Sequence, residues 1–313
     1  MKALIVGASG NIGSRLVPAL RSRGHEVRAM VRPDSKRRPA ADNVEIFSAD
    51  VMKAAELKGA AGGVDVVYHL VGYLFAPRRS QVEPLNMAAA RNVAEMAMAA
   101  GVNRLVFTSS VLVYGPNGRL PSAEDDPRRP DTAYSRAKAA VEDYLLSLAP
   151  HLQATIMRVG HVYGPNVSAI EEFKNLIERG FYRTAGPGEH LTPPINVDDL
   201  ALALCLAGEN PKAASRIYNV NDDEPLPLRE FSDLLAERIG KGPVKRAPVW
   251  VFKSAAALLE SLSKVTGRQP FFDLDTVTLM TEAHSGDNAR LKRELGWSPK
   301  YKSFREGVAT CFE

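Results

Sequence analysis

A chain of 313 residues is long enough for one large domain or two modest ones. Hydrophobic residues make up 45% and charged residues 24%, which excludes disorder, collagen-like repeats and a coiled coil as descriptions of the whole chain. The 40 Lys and Arg exceed the 36 Asp and Glu by a formal charge of +4. This excess suits anionic small molecules, but it lacks the aromatic-interleaved basic stripe typical of nucleic-acid binding, so no nucleic-acid partner is expected.

The two cysteines, Cys205 and Cys311, lie far apart, and no Cys-x-x-Cys pair or closely spaced Cys/His set occurs. This pattern predicts neither a disulfide framework nor a metal site, and it is typical of a cytoplasmic protein. Residues 1–7 have the pattern of a buried strand rather than the charged and apolar zones of a signal peptide. Because no apolar run approaches the ~20 residues of a membrane-spanning helix, we expect no membrane span.

The first half of the chain alternates short apolar segments with segments of helical periodicity, which is the pattern of a parallel sheet covered on both faces. Strands are predicted at residues 2–6, 26–31, 44–48, 65–69, 104–108 and 153–158. Helices are predicted between them, at residues 11–23, 84–100 and 132–148. We therefore predict an α/β fold with a doubly wound parallel sheet, the Rossmann fold.

Beyond about residue 160 this alternation ends, and mixed helical segments with Pro and Gly take over. Helices are predicted at residues 168–179, 197–207, 228–239, 249–265 and 287–295. Ser168 and Glu171 have the spacing of a capping box at the start of the first of these. The predicted organisation is a larger domain over residues 1–160, with returns to the sheet around 195–220, and a smaller, mainly helical C-terminal cap interleaved over 161–313.

A glycine-rich loop, Gly7-Ala8-Ser9-Gly10-Asn11-Ile12-Gly13, follows the first strand at once and opens the first helix. Gly7 permits the tight turn, Gly10 lets the backbone approach a pyrophosphate, and Gly13 lets helix and strand pack closely. The helix N-terminus adds N–H groups and a positive dipole end. The loop is therefore predicted to bind a dinucleotide through its three glycines and through Ser9, Asn11 and Ile12. Its Gly-x-x-Gly-x-x-Gly spacing resembles that of the short-chain dehydrogenase/reductase superfamily.

The turn after the second strand is basic, whereas an NAD-binding protein would place an acid there against the ribose 2′-hydroxyl. Arg32 leads this turn and can pair with a 2′-phosphate, aided by the Ser9 hydroxyl. NADP is therefore predicted over NAD, which remains possible, and the alternative is a solvated basic turn. After the third strand, Asp50 and Val51 resemble the adenine-contacting pair of that superfamily, although Asp also suits a helix N-cap.

Tyr134 and Lys138 stand four residues apart on the predicted helix 132–148, so they share one face. An ammonium beside the phenol favours the phenolate and can hold a cofactor ribose. Of the nine tyrosines, only Tyr134 has a lysine four residues later. Ser109 and Ser110 end the fifth strand, at the sheet edge where ligands of α/β proteins bind. Because successive side chains of a strand alternate between faces, only one of these hydroxyls can point into the cleft.

These motifs together resemble the extended branch of the superfamily, the NAD(P)-dependent epimerase/dehydratase family. The resemblance extends through residues 68–72, Asn86, Asn92 and residues 124–127, 158–165 and 197–201. It implies that Ser110 is the catalytic serine, that Tyr134 is the acid/base of a hydride transfer, and that Lys138 lowers the pKa of Tyr134 and holds the ribose. It also implies cofactor contacts at Leu70, Val71, Gly72 and Asn86, although Asn86 could instead be a structural bridge.

Departures from the family's pattern bear on the reaction. Val111-Leu112 follow Ser110 where the family's dehydratases carry Asp-Glu, which disfavours dehydration. Thr192 stands where its sugar-nucleotide epimerases carry an Arg for the diphosphate. The leading hypothesis is therefore an NADP-dependent oxidoreductase acting on a ketone or secondary alcohol of a small molecule, and the second is a sugar-nucleotide epimerase. A non-catalytic dinucleotide sensor is disfavoured by the Tyr134/Lys138 pair.

The cap contains two apolar segments, at residues 248–252 and 267–272, with an Ala/Leu-rich helix after the first of them. They resemble the C-terminal regions of dihydroflavonol-reductase-like, 3β-hydroxysteroid-dehydrogenase-like and hopanoid-associated members, which favours an apolar substrate, but they could equally form the cap's own core. The resemblance also implies a homodimer through the helices at residues 84–100 and 132–148, whose small-residue faces permit close packing.

Overall fold

A seven-stranded parallel sheet forms the centre of the protein, in a computed structural model that describes residues 1–38, 41–116, 120–266, 270 and 272–313. Its strands lie in the order β3-β2-β1-β4-β5-β6-β11. The strands, in chain order, are β1 Lys2–Val6, β2 Glu26–Val31, β3 Glu45–Ser48, β4 Val66–His69, β5 Arg104–Ser110, β6 Gln153–Val159, β7 His161–Tyr163, β8 Thr184–Ala185, β9 Leu191–Thr192, β10 Pro194–Asn196, β11 Ile217–Val220, β12 Leu226–Pro227 and β13 Arg246–Ala247. The sequence-based prediction of a doubly wound Rossmann sheet is confirmed.

Helices cover both faces of the sheet and build the cap. They are α1 Gly13–Ser22, α2 Val82–Ala99, α3 Ala133–Ser147, α4 Ser168–Glu178, α5 Val197–Glu209, α6 Leu228–Arg238, α7 Val249–Thr266, α8 Leu274–Leu279, α9 Ala289–Leu295 and α10 Phe304–Gly307. All predicted helices occur within two residues of their expected ends, and the short helices α8 and α10 were not predicted. Part of the predicted apolar segment 267–272 lies outside the described residues.

Two apolar cores lie on opposite faces of the sheet. Leu16 of α1 and Leu204 of α5 belong to one, while Val93 of α2 and Leu145 of α3 belong to the other. A third core lies inside the cap, where the Phe304 ring stacks on Phe231 at a centroid distance of 4.1 Å and meets Tyr163 edge-on at 4.8 Å.

Segments of the C-terminal half return to the sheet. Strand β11 pairs with β6, and Leu291, Leu295 and Trp297, from α9 and the turn after it, join the same core as α1. Asp199, in the first turn of α5, accepts hydrogen bonds from the backbone N–H of Lys300 and Tyr301. The boundary between the two domains at residue 160 stays a prediction, because the two halves of the chain share this core.

The predicted capping box at Ser168 is wrong. Val167 is the N-cap of α4 and has extended backbone geometry, and Ser168 is the first helical residue. Its hydroxyl instead accepts a hydrogen bond from Asn11 Nδ2 at 3.0 Å, while Glu171 pairs with Lys174. A contact between distant parts of the chain has replaced the local cap, and it ties the cap domain to the glycine-rich loop.

Candidate active site

The loop between β1 and α1 turns as tightly as its glycines predict. Gly7 has a φ of +94°, and its carbonyl oxygen accepts a hydrogen bond from Gly10 N at 3.0 Å. A Cβ on Gly13 would lie only 2.3 Å from Gly7 O, a backbone atom that cannot move aside. Among the described residues, no side chain caps α1 at Ile12. The loop therefore presents free N–H groups and a positive dipole end to the space above the sheet.

A cleft of about 340 Å³ opens beside this loop at the C-terminal edge of the sheet. Many of the predicted site residues line it: Gly7, Gly10, Asn11, Ile12, Gly13, Leu70, Gly72, Ser110, Tyr134 and Lys138. The remaining predicted contacts are not among its lining residues: Ser9, Arg32, Asp50, Val51, Val71 and Asn86. The structure thus brings the predicted catalytic residues together with the phosphate loop in one cleft.

Tyr134 and Lys138 meet beside Gly72. Tyr134 is the second residue of α3, and Lys138 lies about one turn further on. The Lys138 Nζ donates a hydrogen bond to the Thr108 carbonyl oxygen at 2.8 Å. A Cβ on Gly72 would lie 2.9 Å from that Nζ and 3.7 Å from Tyr134 Oη, so a larger residue at this position would require the lysine end to shift. Strand β5 and the end of β4 therefore fix the position of the pair.

Burial governs the protonation of this pair. It raises the pKa of the Tyr134 phenol to about 12. Burial also lowers the pKa of the Lys138 amine to about 7, a shift that the charge of Glu142 partly opposes. The sequence predicts that Lys138 lowers the pKa of Tyr134 and so favours the phenolate. The structure instead has a raised pKa for Tyr134, because burial removes water from the phenol. At neutral pH the phenol therefore holds its proton, which suits a proton donor.

The structure distinguishes between the two serines at the end of β5. The Ser109 hydroxyl donates a hydrogen bond to Glu142 Oε1 at 2.5 Å, so a buried carboxylate holds it away from a substrate. The Ser110 Oγ accepts a hydrogen bond from Leu112 N at 3.3 Å, which leaves its own proton free to donate. Both serines line the cleft, so the expectation that only one of them reaches it is wrong. The hydrogen bonds favour Ser110 as the hydroxyl that is free to bind a substrate oxygen.

Sequence reasoning missed a buried polar network behind α3, the helix of Tyr134 and Lys138. Glu142 is fully buried on α3 and pairs with Arg158 of β6 at 2.7 Å. Arg158 Nη1 also donates to Tyr114 Oη, which in turn donates to Asn219 Oδ1. The signal was present in the sequence, since Glu142 follows Lys138 by four residues and so continues the catalytic face of the helix. The network joins α3 to strands β6 and β11.

Asn86 has the structural role that the sequence left open. Its amide Nδ2 donates to the carbonyl oxygens of Tyr73 and Val82, and its Oδ1 accepts from Tyr73 N. These bonds hold the segment after β4 against α2. They engage both ends of the amide, so a contact between Asn86 and the cofactor stays a prediction.

The far end of the predicted cofactor site lies beyond β2 and β3. Arg32 is 65% exposed, and its Nε lies 3.6 Å from a carboxylate oxygen of Asp34. The Asp50 side chain accepts a hydrogen bond from Met52 N and so forms a local turn. The charges of both Arg32 and Asp50 influence the pKa of Tyr73, which burial raises. These side chains therefore lie near one another, and Asp34 is an acid in this turn that the sequence reasoning did not weigh.

A second cluster that the sequence did not reveal lies next to the cleft wall at Gly160. His161 follows that glycine, and burial together with the nearby rings of His284 and His190 lowers its pKa to about 4. The three histidines come from distant segments, so no ligand spacing marks them in the sequence. Several buried polar atoms here lack a hydrogen-bond partner within the described part of the chain: His190 Nε2, Asn221 Oδ1 and Ser285 Oγ. Such atoms are available to a polar ligand group.

Comparison with known proteins agrees with this architecture. The model of the NAD dependent epimerase/dehydratase family matches residues 3–221. The chain belongs to the NAD-dependent epimerase/dehydratase family. As a member of this family it is an NAD(P)-dependent enzyme, and the relatives include both reductases and epimerases.

Relatives of this family member resemble it over nearly its whole length. A 3-diazoavenalumate denitrifying reductase from a Streptomyces species is 30% identical over 98% of this chain and 99% of its own length. A 4-hydroxy-2-methyl-3-oxo-4-farnesyl-3,4-dihydroquinoline-1-oxide ketoreductase from Stigmatella aurantiaca is 28% identical over 95% and 92%. The structure of MoeE5 in complex with UDP-glucuronic acid and NAD matches with a TM-score of 0.77 at 26% identity, covering 99% of this chain and 97% of that one.

Two further properties concern the described residues only. None of the helices within them is both long and apolar enough to cross a membrane. Over the same residues, no group of three or more His, Cys, Asp and Glu side chains has a geometry that could hold a metal ion.

Proposed function

We propose that this enzyme is an NADP-dependent oxidoreductase that transfers a hydride between the nicotinamide and a ketone or secondary alcohol of a small, largely apolar molecule. The observation that carries the proposal is the cleft itself, in which Ser110, Tyr134 and Lys138 line the same space as the glycine-rich loop. Proton donor, lysine and phosphate-binding backbone are the parts that such a transfer requires.

The glycine-rich loop fits a dinucleotide. Its uncapped helix N-terminus suits a pyrophosphate, and the space that a Cβ on Gly13 would fill is already occupied by the backbone of Gly7 and Ala8. The loop glycines and Asn11 would hold the phosphates, and Lys138 would hold the ribose nearest the reaction. When bound, the nicotinamide supplies or accepts the hydride.

The chain's own residues move the proton. Tyr134, with its pKa raised to about 12, keeps its proton at neutral pH and donates it to the substrate oxygen as a carbonyl is reduced. Ser110 donates a hydrogen bond to the same oxygen and so fixes its position. Lys138 stays anchored on the Thr108 carbonyl, one turn from Tyr134. In the reverse direction the proton acceptor is the Tyr134 phenolate, the form that the donation leaves behind, and it takes the alcohol proton as the hydride leaves the carbinol carbon.

Three observations favour ketone reduction over epimerisation. Thr192, at the position of the epimerases' diphosphate-binding Arg, is buried and pairs with Leu226 in a short antiparallel strand pair. Arg183, the last Arg before it, donates hydrogen bonds to backbone oxygens of its own turn. The two relatives described above are named as reductases, one of them acting on a farnesyl-bearing ring ketone. These facts together support a substrate without a diphosphate.

A sugar-nucleotide epimerase is the second candidate, because the chain resembles a structure solved with UDP-glucuronic acid and NAD. Incubation with NADPH and a panel of ketones, and in parallel with NAD⁺ or NADP⁺ and a panel of UDP-sugars, separates the two. We expect stoichiometric oxidation of NADPH with an apolar ketone and no interconversion of UDP-sugars. Interconversion of a UDP-sugar without net NADPH oxidation would instead establish the epimerase.

The role of Tyr134 is tested by Tyr134→Phe. We expect kcat to fall by about 10²–10⁴-fold, the contribution of a positioned general acid, while the Kd of the cofactor changes little. The matched control is Tyr144→Phe, on the same helix but away from the cleft, which should keep the wild-type rate. Full activity in Tyr134→Phe would refute the mechanism.

The preference for NADP rests on Arg32. Removing a charge-assisted bond to the 2′-phosphate by Arg32→Ala should weaken NADPH binding by about tenfold or more, with little effect on NADH. Arg37→Ala, which removes an exposed charge from the same basic turn, is the control. An unchanged affinity for NADPH in Arg32→Ala would contradict the assignment, and it is the result expected if Asp34 already neutralises Arg32.

We also propose that the protein works in the cytoplasm as a homodimer that packs through α2 and α3. In this chain those two helices already lie side by side, with Arg91 of α2 stacked over the Tyr144 ring at 5.6 Å. Sedimentation velocity measures the mass directly. A purely monomeric species at micromolar concentration would overturn this part of the proposal.

A further inference from the structure

Helix α7 exposes an unusual amount of apolar surface. Trp250 is 68%, Leu258 62% and Leu262 54% exposed, and Val251 and Leu259 are exposed as well. These are five of the twelve large hydrophobic side chains that are exposed within the described residues. The alternative that this segment forms the cap's own core is therefore wrong for these side chains, and such a concentration usually marks an interaction surface.

The opposite side of α7 is attached firmly to the rest of the molecule. Ala256 is fully buried, and the rings of Phe252 and Phe272 lie 6.1 Å apart. Glu260 accepts a hydrogen bond from Leu274 N and lies 3.5 Å from Arg79 Nη1. The helix is thus packed along one side and open along the other, so its apolar residues are presented to the surroundings by a fixed scaffold.

The chain around this surface is basic. From Arg238 to Leu259 the sequence contains five Lys and Arg and no Asp or Glu, although the two charge classes are nearly balanced in the whole chain. Lys241, Lys245, Arg246 and Lys253 are exposed, and the last of these lies on α7 itself. An apolar helix face with tryptophan and leucine, bordered by cations, has the composition of a helix that lies in a membrane interface.

We propose that the exposed face of α7 docks on the surface of an anionic lipid bilayer, with the helix lying in the plane of the interface. Its 18 residues give a length of about 27 Å, enough to carry Trp250, Leu258 and Leu262 into the headgroup boundary together. The basic residues around it complement the negative charge of anionic headgroups. A second copy of this chain is a poorer occupant, because two such faces would bring like charges together.

This surface is connected to the catalytic helix through one ion-pair network. Arg79 pairs with both Glu260 of α7 and Asp275 of α8. Asp275 also accepts a hydrogen bond from Ala133 N at 2.8 Å, the residue before Tyr134. Docking would therefore bring the entrance of the cap close to the lipid phase, where an apolar substrate dissolves. The docking itself does not depend on the proposed reaction.

Vesicle binding tests the proposal, with tryptophan fluorescence as a built-in probe. The chain has two Trp, of which Trp297 is 2% exposed and donates a hydrogen bond to the Asp199 carbonyl. We expect the wild-type protein to sediment with vesicles that contain phosphatidylglycerol, and its emission to shift to shorter wavelength as Trp250 leaves water. Trp250→Phe should lose the shift and keep most of the binding.

Substitutions on and beside the exposed face of α7 should weaken vesicle binding by measurable factors. Leu258→Gln should weaken partition by about tenfold, and Lys245→Gln by about fivefold at low salt. Phe181→Gln, which changes an exposed aromatic outside α7, is the matched control and should leave binding unchanged. NADPH oxidation with a soluble ketone should be unchanged in all three variants, so failure of docking can be distinguished from failure of the proposed reaction.

Three results would overturn the proposal. One is the absence of sedimentation with anionic vesicles. Another is equal binding to vesicles of pure phosphatidylcholine, which would remove the role of the basic residues. The third is a wild-type dimer that dissociates in Leu258→Gln, since this would assign the surface to a second copy of the chain.

Discussion

Helices α3 and α7 are similar in length but distribute polar and apolar side chains in opposite ways. Helix α3 buries Lys138 and Glu142, two charged residues, against the sheet. Helix α7 leaves Trp250, Leu258 and Leu262 exposed. Burying a charged side chain is unfavourable because the charge loses its water, and exposing a large apolar side chain is unfavourable because it stays in water. Both helices therefore depart from the usual distribution of side chains.

The difference indicates that α3 interacts mainly with the protein interior, whereas the exposed side of α7 is available to interact with its surroundings. On α3, Glu142 meets Arg158 and Ser109, and Lys138 meets the Thr108 carbonyl, so each buried charge has a designated partner that preorganises the cleft. On α7 the exposed apolar side chains have no such partner within the described chain. This agrees with the proposal that a lipid bilayer covers them. Substitutions of the buried residues of α3 should therefore lower the free energy of unfolding far more than substitutions on the exposed side of α7.

The largest expected effect is that of Glu142→Gln. It leaves the Arg158 guanidinium buried without its carboxylate, and breaking a buried ion pair in this way costs about 3–5 kcal/mol of unfolding free energy. Urea denaturation measures the loss. Asp143→Asn, on the same helix, breaks an exposed pair with Arg128 and should cost no more than about 1 kcal/mol. Similar losses in the two variants would mean that Arg158 finds another partner.

Lys138→Met should change the pH dependence of stability. Burial lowers the folded-state pKa of Lys138 to about 7, below its ordinary value of 10.5, so between these two pH values the unfolded chain holds the additional proton. The free energy of unfolding of the wild type should therefore rise with pH across this window, relative to the variant, by at most about 1.4 kcal/mol per pH unit. Urea denaturation of both proteins at pH 7 and at higher pH measures the slope. Parallel pH profiles would contradict the low pKa.

The smallest expected effect is that of Leu258→Gln on folding. The side chain is exposed, so its replacement should change the unfolding free energy by less than about 0.5 kcal/mol, whatever it does to vesicle binding. Leu145→Ala, which truncates a fully buried leucine of α3, should cost about 2–5 kcal/mol. Thermal and urea denaturation compare the two. A large loss in Leu258→Gln would show that α7 packs more tightly than its exposure indicates.

Predictions from the sequence were confirmed for features that depend on residues close together in the chain. Largely apolar runs identified β1 and β2 with their exact bounds, because the strands of a covered parallel sheet are buried on both faces. Arg28 is the polar exception in β2, and it is bonded to Glu45 and to the Ala60 carbonyl oxygen. The glycine spacing identified the tight turn between β1 and α1, since glycine suits the positive φ of Gly7 and a Cβ would not fit at Gly13. The capping box at Ser168 failed for the opposite reason, because the hydroxyl is used by Asn11 far away in the chain.

The sequence by itself determined the doubly wound sheet, the glycine-rich loop and the pairing of Tyr134 with Lys138, because periodicity and short spacing follow from backbone geometry. Only the tertiary structure showed that the Ser109 hydroxyl is bound to Glu142 while the Ser110 proton is free to donate, although both serines line the cleft, and that burial raises the pKa of Tyr134 to about 12. It also decided that the histidines at positions 161, 190 and 284 meet and that α7 turns its apolar side outward. Desolvation and exposure depend on which distant segments pack together, and no local pattern in the chain records that.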